Sequence, residues 1–268
     1  MVLVQIFQRT LKEMGLDARV FASDMDPMMA PACHVADQCF QVSPCPAEDF
    51  VDELTGIYRE HQVGVVIPTI DTELELLAAN RERLEAVGTL LAEPDQEFVR
   101  ICRDKRLTAS FFQKLGIEVP KMLDRHHPAF REYKEFTVDM YYGLDGQVKG
   151  IVPRERIEVR SGEINKGVAR KNYLVDFLKR GMNMVKGVRG CICIQLFYRE
   201  SDHDIKGIEI NPRFGGGFPL SFYAGANFAE YIIKEYLLGE KIDYSETWLD
   251  NTKLLRYDDN VIIYNADR

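Results

Sequence analysis

The sequence predicts an α/β chain in two parts: a parallel sheet wrapped by helices over residues 1–94, then an α+β region with an antiparallel sheet over residues 95–268. Three observations carry this. In the first part, apolar stripes at helical spacing alternate with short β-branched runs, the pattern of strand–helix–strand units. In the second, longer alternating strands are joined by short polar or glycine-rich tips, the pattern of hairpins. The length of 268 residues, with 46% hydrophobic and 28% charged, can supply a core for one large domain or two ordinary ones.

The first part opens on an amphipathic helix from Val2 to Met14, with Leu3, Ile6, Phe7 and Leu11 on one stripe and Gly15 as its stop. Arg19 to Ala22 reads as a short strand ending at Ser23-Asp24. A helix follows from about Ala47 to His61, then a strand from Val63 to Ile67 closed by Pro68. The next helix carries Leu74, Leu77, Ala78 and Leu84 to Gly88, and a third strand spans Thr89 to Ala92. In open sheets ligands bind beyond the carboxyl ends of strands, where Asp24, Thr69, Asp71 and Glu73 fall. For Asp71 helix capping is the favoured role.

In the second part, Asp104-Lys105 opens a helix that closes at Gly116, and Ile117 to Pro120 leads away as a strand. Lys105 stands in a first turn whose free N–H groups favour a phosphate, although Asp104 as a plain cap and a solvated lysine explain the pair equally. Thr137 to Tyr142, a Gly-Leu-Asp-Gly turn and Val148 to Val152 form a hairpin. Arg154, Arg156 and Arg160 then share one face of an extended segment, a row that could hold a triphosphate or a carboxylate, or defend a solvated edge strand. Asn172 to Val185 reads as a helix, and Asn227 with Glu230 caps another that runs through Leu238 to Gly239. The tail, with Trp248 and Val261 to Tyr264, reads as packed.

The segment that organises the second part is Cys191 to Tyr198, a polar tip at Glu200 to Asp204, and Ile205 to Arg213. A symmetric hairpin pairs Leu196 with Ile208, Ile194 with Ile210 and Gln195 with Glu209, so every apolar partner falls on one face. Gln195, Glu209 and Asn211 then project together from the other face. Such an oxygen-only patch suits magnesium, which shares itself between one or two protein carboxylates, water and substrate phosphates. Arg213 follows on the same side with a fork that matches two phosphate oxygens. An ordinary polar sheet face accounts for the spacing equally well.

The net charge of −8 argues against general binding of nucleic acid or anionic membrane, both of which need a basic surface. No apolar run approaches the ~18 residues of a membrane helix and no signal-peptide pattern leads the chain, so a cytoplasmic setting is expected. The six cysteines include no C-x-x-C pair and are expected to be reduced and mostly buried. A Rossmann dehydrogenase is disfavoured by the lack of G-x-G-x-x-G, and a P-loop ATPase by the lack of G-K-[ST].

The run Glu209-Ile210-Asn211-Pro212-Arg213-Phe214-Gly215-Gly216-Gly217, with Gln195 upstream, resembles the metal-binding strands of the ATP-grasp superfamily, and is most similar to its carbamoyl phosphate synthetase large-chain-like branch. Asp104 to Thr108 and Leu115 to Pro120 resemble the entry helix of such domains, and Ile67 to Leu74 resembles the pre-ATP-grasp domain. The resemblance implies that Gln195, Glu209 and Asn211 ligate magnesium, that Lys105 and Arg213 contact phosphate, that Glu135 holds the ribose hydroxyls and that Glu132 lies in the adenine hinge. It also gives the row of Arg154 and Arg156 a substrate or phosphate role. Two departures are plain. No strand with a glycine-containing turn precedes the first helix, and Lys121 to Phe130 takes the place of the longer strand and glycine-rich lid of the family. A natural deletion or an unrepresented mobile lid would each explain the second.

The expectation is therefore an ATP- and magnesium-dependent carboxylate ligase working through an acylphosphate, with Arg213, Arg154 and Arg156 as catalytic residues. Two magnesium ions are expected, with manganese as a substitute. The partners are a small carboxylate and an amine or other nucleophile, without nucleic acid or membrane, and a homodimer is allowed. The rival is a non-catalytic nucleotide-binding or regulatory module.

Overall fold

The computed structural model describes residues 1–120 and 131–263. Helix α1 (Val2–Glu13) buries Ile6, Phe7 and Leu11 and ends before Gly15, whose φ of +69° suits glycine. Then come β1 (Phe21–Asp24), α2 (Pro31–Val35), β2 (Gln38–Gln41), α3 (Phe50–Glu60), β3 (Val65–Val66), α4 (Asp71–Ala79), α5 (Arg81–Glu85) and β4 (Leu90–Leu91). The strands are parallel, as expected, but they do not form one sheet. β1 pairs only with β2 and β3 only with β4, giving two separate two-stranded sheets.

Next, α6 (Gln96–Arg103) and α7 (Lys105–Lys114) are capped by Asp95 and Asp104, whose side chains accept backbone N–H groups of the first turn. The strand expected at Ile117 to Pro120 reduces to one bridge, Glu118 with Lys206. The second part is a six-stranded sheet, β5 (Lys134–Tyr142), β6 (Val148–Arg160), β7 (Glu163–Ala169), β8 (Gly190–Arg199), β9 (Asp204–Asn211) and β10 (Lys253–Leu255), in the order β10-β7-β6-β5-β8-β9. Every neighbouring pair is antiparallel. Helix α8 (Tyr173–Met182) starts at Asn172, whose side chain accepts Leu174 N–H. Helices α9 (Phe218–Ala224) and α10 (Phe228–Ile232) follow β9, and α10 runs into a π-helical turn, Ile233–Leu237.

Alternation along the sheet divides its faces. Phe136, Val138 and Met140 of β5 with Ile192, Ile194 and Leu196 of β8 are buried in the main core. That core also takes Ile6, Phe7 and Leu11 from α1 and Phe218 and Phe228 from α9 and α10, so the two parts share one apolar interior. A smaller cluster around Leu54, Leu77 and Leu91 belongs to the first part alone. Two expectations change here. Cys33 and Cys39 form a disulfide rather than staying reduced. Ile262 is exposed rather than packed. His126 and His127 lie outside the described residues.

Candidate active site

The opposite face of the sheet carries the polar residues. Register places Thr137 of β5 opposite Gln195 of β8 and opposite Arg154 of β6, while Asp139 faces Cys193. Gln195 pairs with Glu209 and Cys193 with Asn211, as the hairpin expectation required. One detail differs. A bulge after Gln195 puts Leu196 opposite Gly207 rather than Ile208, so one extra residue sits in β9 immediately before Glu209. Four strands therefore aim Arg154, Arg156, Glu135, Thr137, Asp139, Gln195, Glu209 and Asn211 at one face.

This face has a closed end and an open end. At the closed end Arg154 donates from Nε and from its terminal nitrogen to the two Asp139 oxygens, each at 2.7 Å. Ser221 Oγ of α9 donates to Asp139 at 2.6 Å and the Cys193 thiol at 3.0 Å. Arg154 is 1% exposed and Asp139 0%. Burial alone would lower the Arg154 pKa, but the Asp139 charge and hydrogen bonds outweigh it and hold the guanidinium above its ordinary value. A Cβ on Gly217 would collide with this guanidinium, so the glycine run lies directly on Arg154. The expectation that Arg154 contacts phosphate or substrate is corrected by this geometry, because its fork is consumed by a buried carboxylate. Arg160 also leaves the expected row, pairing at the surface with Asp258.

At the open end Gln195 Nε2 donates to Glu135 Oε1 at 2.7 Å, which leaves the Gln195 carbonyl oxygen free. Asn211 Nδ2 donates to Glu209 Oε1 at 2.9 Å, freeing the Asn211 oxygen in the same way. Arg156 Nε lies 3.2 Å from Glu135 Oε1 without the alignment of a hydrogen bond and is a buried donor left unsatisfied. Burial pushes the Arg156 pKa down, opposed by Glu135. The two free amide oxygens beside the exposed Glu209 carboxylate fit a hard cation that keeps water or phosphate in its remaining positions. The same residues offer no soft or imidazole ligand, and no His/Cys/Asp/Glu metal cluster exists among the described residues.

Arg213 follows β9 and forms a two-point ion pair with Asp71, Nε to Oδ1 at 2.7 Å and a terminal nitrogen to Oδ2 at 3.0 Å. Its pKa is raised, by the Asp71 hydrogen bond first, and the Asp71 carboxyl is correspondingly lowered by Arg213. Asp71 is thus not the helix cap expected of it: Ile70 occupies the cap position, and Glu73 closes the turn by accepting Thr69 N–H and Ile70 N–H. Lys105 is exposed at the start of α7, and Glu132 is exposed in the turn before β5. Neither is drawn into the polar face. Sequence reasoning missed Asp139, although an aspartate inside the apolar run Phe136 to Tyr142 signals a buried cation partner. It also missed Ser221, for which no spacing signal exists.

This sheet, with its polar face and the helices around it, is an ATP-grasp fold. By family, residues 1–92 match the model of the PylC-like N-terminal domain, and residues 130–255 match that of ATP-grasp in the biosynthetic pathway with Ter operon. The chain thus combines a PylC-like N-terminal domain with an ATP-grasp domain. No curated protein matches it by sequence. Among solved structures it is similar to the biotin carboxylase subunit of pyruvate carboxylase at 14% identity and TM-score 0.69, covering 93% of this chain and 70% of that one. The biotin carboxylase domain of Hydrogenobacter thermophilus 2-oxoglutarate carboxylase, solved with MgADP and bicarbonate, gives 13%, 0.68, 93% and 70%. Rhizobium etli pyruvate carboxylase gives 15% and 0.68, and there the chain covers 27% of the multidomain protein.

Proposed function

We propose that this ATP-grasp enzyme is an ATP- and magnesium-dependent carboxylate ligase. The observation that carries the reading is the open end of the polar sheet face, where Gln195, Glu209 and Asn211 turn unspent oxygens to one side beside the unsatisfied Arg156 Nε. In this reading Gln195, Glu209 and Asn211 hold magnesium, Glu135 takes the ribose hydroxyls once Arg156 releases it, and Lys105 and Glu132 approach phosphate and adenine from the rim. Arg213 exchanges Asp71 for a phosphate oxygen pair. Arg154 is a positioning residue, setting the height of the glycine run through Asp139. Bound magnesium would neutralise charge on the β- and γ-phosphate oxygens.

The reaction balances without a protein nucleophile. A substrate carboxylate oxygen attacks the γ-phosphorus, the bond to the β-phosphate oxygen breaks and ADP leaves. An amine or other nucleophile then attacks the acyl carbon and phosphate departs with its oxygens. The chain's contribution is to orient Arg156 and Arg213 toward developing negative charge. ADP release measured with Mg-ATP and a panel of carboxylic acids, with and without amines, tests this. Acid-dependent release with transfer of carboxylate 18O into phosphate supports the acylphosphate route, and ATP binding without any acid-dependent release refutes it. The rival, a nucleotide-binding regulatory module, draws on the short Lys121 to Phe130 segment and predicts that second outcome.

A further inference from the structure

One carboxylate beside the candidate site, that of Glu163, is left without a hydrogen bond or ion pair among the described residues. Glu163 opens β7 at the tip of the β6–β7 hairpin, where it pairs with Arg160 across the two-residue turn Ser161-Gly162. Both turn residues have positive φ, +51° and +80°, so the tip is a tight turn of the kind that fixes hairpin register. Arg156 ties this tip to the polar sheet face by donating to Gly162 C=O at 2.6 Å. The tip thereby carries the Glu163 side chain onto the glycine run: a Cβ on Gly216 would lie 2.5 and 3.0 Å from its two carboxyl oxygens. Arg256 holds the same glycine by donating to its C=O at 2.6 Å. Glu163 is exposed, and it lines one cleft together with Arg213, Gly215, Gly216, Thr69 and Asp71.

Two guanidiniums stand near enough to feel the Glu163 charge, those of Arg213 and Arg156. Neither bonds it. Arg213 turns Nε and a terminal nitrogen to Asp71, and Arg156 is held by Glu135, Thr137 and Gly162. A bare carboxylate beside Arg213, on the path of phosphate and of a substrate acid, repels both of them. Its charge favours binding there only toward a cation. The partner exchange of Arg213 points the same way. Once Arg213 turns to phosphate, Asp71 loses the fork that neutralises it, and the cleft holds two uncompensated carboxylates, Asp71 and Glu163. An ammonium group is a compact charge with several rotatable donors, enough to serve both.

We propose that Glu163 is the specificity-determining residue for a substrate that carries a primary ammonium group, and that Asp71 completes its site when Arg213 leaves for phosphate. The inference rests on the ligase reading, because that reading supplies the phosphate that draws Arg213 away. Nucleotide and ammonium then favour each other: phosphate frees Asp71 for the ammonium, and the ammonium keeps Asp71 from recapturing Arg213. By linkage the two affinities rise by one common factor. A hydroxyl compound of the same shape gains nothing from either carboxylate's charge. The ammonium is carried by a free amine or by an amino acid, and binding separates these sources.

The test is calorimetric titration of the unaltered protein, Glu163→Gln, Glu163→Asp and Asp71→Asn with simple primary amines, α-amino acids and the matching alcohols and hydroxy acids. Each titration is run with and without magnesium and a non-hydrolysable ATP analogue. The unaltered protein is expected to bind an ammonium compound about tenfold or more tighter than its hydroxyl counterpart, and about fivefold or more tighter again once the nucleotide is bound. Glu163→Gln should abolish the preference for ammonium, leave Tm unchanged and not weaken the nucleotide complex, while Glu163→Asp restores part of the preference. Asp71→Asn should keep a preference through Glu163 and lose the gain on adding nucleotide. Binding of simple amines assigns the ammonium to a free amine, binding of amino acids alone assigns it to an amino acid, and both support the proposal. No binding, equal affinity for ammonium and hydroxyl compounds, or a preference that survives in Glu163→Gln overturns it, while a magnesium-dependent nucleotide complex leaves the ligase reading standing. Failure of the nucleotide analogue to bind sinks the ligase reading and the coupling with it, even where Glu163 selects ammonium.

Discussion

Arg154→Met separates a buried structural cation from a ligand contact. Arg154 and Asp139 are joined by two hydrogen bonds of 2.7 Å at essentially zero exposure, so methionine leaves the Asp139 carboxylate with only Ser221 and Cys193 as donors. Breaking a buried pair on one side costs about 3–5 kcal/mol. For a protein of this size each kcal/mol moves Tm by roughly 2–4 °C, so a fall of about 6–20 °C is expected. Asp139→Leu combined with Arg154→Met removes both charges and should recover most of that loss, because an apolar replacement of the whole pair is close to neutral. Thermal unfolding by circular dichroism gives the stability, and titration with Mg-ATP below the transition gives the affinity. If Arg154→Met leaves Tm unchanged while ATP binding collapses, the guanidinium meets ligand and the positioning role is wrong.

Further outcomes follow from particular residues. Glu93 is buried with both carboxyl oxygens unpartnered, and burial raises its pKa to about 9, with Arg81 opposing. The folded state therefore keeps a proton that the unfolded chain releases near its ordinary value, so this contribution is complete at low pH and is lost as pH rises toward 9. Glu93→Gln should flatten the decline of Tm from pH 5.5 to 9, and an unchanged slope counts against it. Asp71→Asn releases Arg213 from its carboxylate and should tighten Mg-ATP binding a few-fold in calorimetric titration, whereas Arg213→Ala should weaken it; a weaker Asp71→Asn complex contradicts the exchange of partners. Gly217→Ala drives a methyl into the Arg154 guanidinium and should cost about 1–3 kcal/mol by chemical denaturation.

Much of the fold was legible because periodicity and punctuation agreed with it. Val2–Glu13 follows its apolar stripe and Asn172 caps the helix it precedes. The Gln195–Glu209 register was readable from the symmetry of the hairpin tip. The bulge before Glu209 was not, since an extra residue in one strand leaves the alternation on either side intact. Nor was the split of the first sheet, because strands of two to four residues carry little periodic signal. The arginine row failed for a different reason: alternation gave Arg154 the correct face, but which part of that face α9 covers is a tertiary fact. Asp71 was misassigned because a carboxylate at a helix start serves a cap or a distant guanidinium equally well, and the Asp71–Arg213 pair spans the two parts of the chain.

The most direct test of the metal and nucleotide site is calorimetric titration of ATP, with and without magnesium, into the unaltered protein and into Glu209→Gln. The ligase account predicts magnesium-dependent binding that weakens at least about tenfold when the one carboxylate of the donor set is neutralised. Equal affinity in the two proteins, or binding indifferent to magnesium, would contradict it.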